Sequence, residues 1–176
     1  MHTKQTKILA LCGAPLLLML WHDVLAQEDA VRADIESVVR SLYAGDVETA
    51  LRYALPEVIE MNGGPDAFRQ VVDETIQELS ESGTKFESLS FPESASFYEG
   101  NGRRFVVVPT LLVVTMNGRR IESRNFQLGV LESQSDGWKY MEGARLAPGR
   151  SSNLQQLFPD FPANVEFPPL RARSLE

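Results

Sequence analysis

The sequence predicts an α+β domain in which three helices precede an antiparallel sheet and a Phe- and Pro-rich segment straps the end of the chain onto the rest. Three observations carry this expectation. Apolar residues recur at helical spacing between 29 and 79, β-branched runs separated by Gly-containing turns fill 85 to 143, and aromatic rings alternate with prolines beyond Pro148.

The chain opens on a segment that reads as an export leader. Lys4 and Lys7 form a positive start, Ile8 to Leu20 an apolar run, and Val24-Leu25-Ala26 a cleavage site before Gln27. The run carries Gly13 and Pro15 and is short of the ~20 residues that a spanning helix needs, so no membrane insertion is expected after cleavage. A lipoprotein reading through Cys12 fails because Leu11 is bulky where a small residue is wanted. No Asn-x-Ser/Thr sequon occurs, and a bacterial periplasmic or secreted location is the expectation.

Three helices follow. Val31, Ile35, Val38, Val39 and Leu42 make an apolar stripe over 29–43, and Gly45 offers the left-handed residue that ends it. Asp46 caps a second helix bearing Val47, Ala50, Leu51, Ala54 and Leu55, which stops at Pro56, and Val58 to Met61 is read only as a short apolar segment. Gly63-Gly64-Pro65 turns into a third helix with Phe68, Val71, Val72, Ile76 and Leu79 on its core side and Ser82-Gly83 at its end.

Strands are expected at 85–91, 94–98, 105–116, 126–133 and 138–143. Phe105 to Met116 is apolar enough to be buried on much of both faces, with Pro109 marking a bulge or an edge position. Asn117-Gly118 predicts a two-residue hairpin in which Met116 faces Arg119, Leu112 faces Ser123 and Thr110 faces Asn125. Asp136-Gly137 turns the last strand back. From Pro148 a small helix around Leu154 to Phe158 leads into Phe158-Pro159-Asp160-Phe161-Pro162 and Phe167-Pro168-Pro169, whose rings suit a strap more than a polyproline recognition motif. The organisation is therefore a leader at 1–26, one domain at 27–146 and a packed tail at 147–176.

Composition excludes several chemistries. Removing the leader takes away His2, His22 and Cys12, so the mature chain of 176 − 26 = 150 residues carries no imidazole and no thiol. Ser-His-Asp and Cys-His catalysis, His-rich metal sites and disulfides are then out of reach. The mature balance is 17 − 2 = 15 basic against 24 − 1 = 23 acidic residues, a net charge of −8 that repels nucleic acid. Gly100-Asn101-Gly102 lacks a third glycine and a following helix, and no phosphate loop or calcium loop occurs, so no cofactor is expected. Arg103-Arg104 and Arg119-Arg120 sit at opposite ends of the sheet and read as strand-end gatekeepers.

Leu42 to Leu51 around Ala44-Gly45-Asp46, Gly63-Gly64-Pro65, and Asp136-Gly137-Trp138-Lys139-Tyr140 together resemble the nuclear transport factor two-like cone, the fold shared by ketosteroid isomerases and polyketide cyclases. Pro56 to Gly64 with the tail is similar to exported bacterial members of that group with no settled function. The resemblance covers most of 28–146 and implies that the sheet is curved, that helices and sheet enclose a conical pocket, and that any reaction would use a carboxylate and a tyrosine.

Strand parity nominates the lining of such a pocket. One face carries Ser123, Asn125, Gln127 and Gly129 with Leu112, Thr110, Val108 and Val106, joined by Tyr140 and Glu142 if Ser133 pairs with Trp138. The other carries Phe126, Leu128 and Val130 with Phe105, Val107, Leu111, Val113 and Met141, and its apolar content marks it as the buried one. The ligand-binding candidates are Thr110, Asn125, Gln127 and Tyr140, and the catalytic alternative is Tyr140 with Glu142. The function expected is a non-catalytic binding or interaction module for a small apolar molecule. The alternatives are an isomerase or cyclase-like enzyme and a structural homodimer formed through the sheet face.

Intact-mass measurement of the exported protein is expected to find a chain beginning at Gln27 that takes up no thiol-alkylating reagent. A product retaining Cys12 would return thiol chemistry to the molecule.

Overall fold

Asn117 and Gly118 both take positive φ, 52° and 76°, the geometry whose twist matches two antiparallel strands. They join β3 (Arg103–Met116) to β4 (Arg119–Glu132), each of 14 residues and therefore about 45 Å long at roughly 3.3 Å per residue. Residue pairing runs Met116 to Arg119, Leu112 to Ser123 and Thr110 to Asn125, the register that the turn demands. The computed structural model describes residues 14–146, 154, 157–163 and 165–175, with side chains from Leu25.

Each long strand is flanked by two short ones. On the free edge of β3, β1 (Lys85–Ser90) pairs with Leu111 to Thr115 and β2 (Ser96–Glu99) with Arg104 to Val107. Pro109 falls in the interval between them, where a missing N–H costs no ladder bond. On the free edge of β4, β5 (Lys139–Glu142) covers Gln127 to Val130 and β6 (Arg171–Leu175) covers Arg120 to Arg124. The six strands form one antiparallel, curved, unclosed sheet. The last hairpin is displaced by two residues from the expected pairing: Tyr140 opposes Gly129 and Glu142 opposes Gln127. An even shift keeps every side chain on its expected face.

The helices differ from expectation in number and length. Helix α1 (Ala14–Ala44) runs without a break through the expected cleavage point, and among the described side chains its first hydrogen bond to the rest of the fold comes at Glu28, which accepts from the Ala95 amide at 3.0 Å. The start of the expected leader, with His2, Lys4, Lys7 and Cys12, lies outside the described residues, as does the side chain of His22. Asp46 caps α2 (Val47–Tyr53) by accepting from the Thr49 amide at 3.1 Å. Pro56 does more than end that helix: it is the first residue of α3 (Pro56–Met61), because its fixed φ suits a first helical turn. Val58 to Met61 are therefore helical, and the expected three helices become four. Then α4 (Pro65–Glu81) begins after Gly64 and ends at Ser82. Among the described residues no helix is long and apolar enough to cross a membrane.

Both faces of the sheet are packed at its centre. Phe105 to Thr110 are buried without interruption. On the even-numbered face of β3, Val106 and Val108 lie with Trp138 and Tyr140 beneath Val31 and Ile35 of α1. On the odd-numbered face, Phe105, Val107, Phe126, Leu128, Val130 and Met141 pack with Ala50, Leu55, Val58, Phe68 and Val72 from the other helices. The tail belongs to this second layer. Leu154, Phe158 and Phe161 are buried in it, Phe158 and Phe161 meet Phe105 edge-on, and Phe167 stacks on Phe126 with centroids 5.1 Å apart. Of the small helix expected around Leu154 to Phe158, Leu154 and Leu157 are helical, and residues 155–156 lie outside the described set.

Phe158→Ala is expected to destabilise the fold by about 3–5 kcal/mol in urea unfolding, the cost of emptying a core aromatic site. A loss under ~1 kcal/mol would mean that the tail is merely laid on the surface.

Candidate functional site

Asp34 occupies a place on α1 that belongs to its core stripe, three residues after Val31 and four before Val38. Its carboxylate accepts two phenol hydrogen bonds, from Tyr53 at 3.1 Å to Oδ1 and from Tyr140 at 3.0 Å to Oδ2. Helix α1, the end of α2 and strand β5 are thereby joined at one charge. The Tyr53 and Tyr140 rings lie 6.1 Å apart, and Ala54 bridges to the backbone of Tyr140. Burial, and then the adjacent Asp34 charge, push the Tyr140 hydroxyl well above the ordinary tyrosine range, and the same two causes raise Tyr53.

The residues nominated from strand parity share a face but not a common opening. Thr110 is 4 % exposed, opposite Asn125. The Asn125 amide is occupied on both sides: Nδ2 donates to Glu142 at 2.6 Å and Oδ1 accepts from the Phe126 amide at 2.8 Å. Gln127 is half-buried between Val108 and Glu142 in the register. Tyr140 is buried, with its hydroxyl committed to Asp34 and not to Glu142. Glu142 is exposed, and its charge acts on Tyr43 of α1, whose hydroxyl is raised first by burial and then by that carboxylate. The pair Tyr140 and Glu142 therefore divides between two partners, Asp34 and Asn125. Asp34 lies on a helix and so outside the reach of strand parity, and its signal in the sequence is a carboxylate set in an apolar helical stripe.

Further along the same face toward the hairpin turn, helix cover gives way to a cleft. Tyr43 and Arg40, near the end of α1, rest on Phe86 of β1, at the opposite edge from β6. On the β4–β6 side Met116, Arg119, Ile121, Ala172 and Ser174, with Asn117 and Arg173 at the rim, line a cleft of about 550 Å³. Met116 is 38 % exposed there. Its lining combines the apolar Met116, Ile121 and Ala172 with the two guanidinium groups of Arg119 and Arg173, so it can hold an apolar body and a polar end. Among the described residues no three His, Cys, Asp or Glu side chains converge as metal ligands.

Comparison of the chain with protein-family models, with curated proteins and with solved structures finds no match.

The Tyr140 shift has a definite sign. An unfolded chain ionises tyrosine near pH 10 while the folded chain holds the proton to higher pH, so this contribution to stability is complete below about pH 10 and is lost as pH rises beyond it. Tyr140→Phe is expected to flatten the alkaline fall in unfolding free energy measured between about pH 9 and 11. An unchanged slope would show that the phenol is not confined.

Proposed function

We propose that this chain is a non-catalytic binding module, exported after loss of its leader, that takes a small apolar molecule against the uncovered end of one sheet face. The observation that carries the reading is the cleft over Met116, Ile121 and Ala172, an apolar floor with polar groups at its edge. The resemblance to the nuclear transport factor two-like cone agrees with a ligand on this side of the sheet. It differs in position, since the Val106 and Tyr140 end is filled by Val31 and Ile35.

The same geometry argues against the isomerase alternative. That chemistry needs a desolvated carboxylate free to take a proton and a tyrosine free to donate to an oxyanion. Tyr140 donates its hydroxyl to the Asp34 carboxylate, Tyr140 is 5 % exposed, and Glu142 stands in solvent against Asn125. A substrate would have to displace α1 to reach Tyr140, which lies buried with Val31 and Ile35.

The test is titration of the purified protein with the fluorescent apolar probe 1-anilinonaphthalene-8-sulfonate, alongside native mass spectrometry. Saturable binding that weakens by about tenfold in Ile121→Asp and is unchanged in Tyr140→Phe is expected, as for loss of one buried apolar contact surface. Absence of saturable binding overturns the reading, and a doubled protein mass that Ile121→Asp returns to the monomer would assign the face to dimerisation instead.

A further inference from the structure

The tail strand β6 inverts the charge of the molecule locally. Across residues 119–124 and 171–175 there are five arginines, Arg119, Arg120, Arg124, Arg171 and Arg173, and one acid, Glu122, in a chain of net charge −7. By the register Arg120, Arg124, Arg171 and Arg173 share one face of the sheet, and Arg173 also reaches the lining of the cleft. Arg120 is held by Glu87 at 2.8 Å. Glu122 serves two more, Arg173 at 2.8 Å and Arg124 at 3.9 Å. Among the described residues no carboxylate pairs with Arg171, which the register sets directly opposite Arg124. Like charges at directly opposed positions of a sheet repel, so Arg171 adds beside Arg124 a positive charge with which no described carboxylate pairs.

The same strand has an unused backbone edge. Among the described residues β6 pairs with β4 alone, and Arg171 to Ser174 are exposed. An open edge presents N–H and C=O groups to any extended chain that comes alongside. Charge decides which chain that is. A second copy pairing antiparallel about Ala172 would set Arg171 against Arg173 twice, and pairing about Arg173 would set the two Arg173 side chains against each other. Self-association through this edge is therefore opposed, while an extended segment with acids at alternate positions meets Arg171 and Arg173 on one face.

We infer that β6 is a docking edge for an extended acidic segment of a partner protein, which adds a seventh strand by backbone hydrogen bonds and is selected by Arg171 and Arg173. The site lies on the β6 edge and shares Arg173 with the lining of the apolar cleft, while Arg171 stands outside that lining.

The experiment uses the full exported chain and a fluorescein-labelled peptide of about six residues, the length of an average strand, alternating glutamate and threonine. Fluorescence anisotropy is expected to report saturable binding that weakens with added salt and falls by about tenfold or more in Arg171→Glu/Arg173→Glu, whose exposed positions leave the circular dichroism unchanged. A peptide N-methylated at alternate residues should bind as weakly as the double variant meets the parent peptide. No binding by the wild-type chain, or equal binding of the N-methylated peptide, overturns the inference. So does a salt-stable dimer that depends on β6.

Discussion

The fold turns on the double-sided burial of one hairpin. Six consecutive residues, Phe105 to Thr110, are buried, which a strand achieves only when both faces of its sheet are covered. Helix α1 covers one face, and the remaining helices with the tail cover the other. The chain must therefore pass from one side of the sheet to the other soon after α1 ends. It does so along the edge of β5, where Ala54 bridges to Tyr140. The Asp34 carboxylate with its two tyrosines sits at that crossing. Its geometry is what a pin requires: a charge on the first layer accepting hydroxyls from the crossing segment and from the sheet edge. Each of those hydrogen bonds to a charged acceptor contributes on the order of 1.5–3 kcal/mol when sheltered, and both phenols are given up to it.

The parts of this fold legible in the sequence are those governed by local geometry. Asn117-Gly118 determines a turn, the turn determines a register, and the register sorts fourteen residues of each strand onto two faces without reference to anything distant. Period-two sorting even survives the two-residue displacement of β5. What local geometry leaves open is which elements approach each face. Asp34 was readable as a carboxylate in an apolar stripe, but its partners are 19 and 106 residues away in sequence. Helix α3 was missed because a proline that ends one helix and begins the next has the same signature as one that only ends it. Strand β6 was missed for a different reason: Arg-Ala-Arg-Ser has no apolar alternation, since it is bound to β4 at an exposed edge by its backbone and buries little.

The tail shows how an edge is shared. The β4 strand is too long for β5 to cover, and the four residues of β5 leave Arg120 to Arg124 with unpaired backbone on that side. The chain then spends its Phe- and Pro-rich segment crossing the second layer, with Phe158 and Phe161 sunk against Phe105 and Phe167 on Phe126, before it reaches that gap. Arg103 gathers the same region electrostatically: Glu132 lies 3.5 Å away, Asp160 of the tail 3.6 Å, and Glu57 of α3 4.0 Å. The tail is thus anchored at both ends, by rings and an ion cluster near β3 and by a ladder on β4, which makes it part of the domain and not an appendage.

Gly129 explains why the polar-looking face does not become a pocket at its centre. A Cβ there would stand 2.6 Å from Cγ1 of Val106, 3.0 Å from the Tyr140 ring and 3.2 Å from the Trp138 ring. The missing side chain leaves a shallow place on the sheet, and two aromatic rings lie down in it. Trp138 is met edge-on by Phe97 and overlain by Arg104, while Tyr140 reaches Asp34. Space that a cone would leave for a guest is filled by the protein's own rings, and helix α1 closes over them. Free volume on this face can then survive only where the rings and α1 no longer reach, toward the hairpin turn. The cleft lies there, over Met116 and Ile121. One glycine thereby does two things at a distance: it admits the rings that pin the helix, and it moves the accessible surface of the sheet to the end where β6 supplies the other wall.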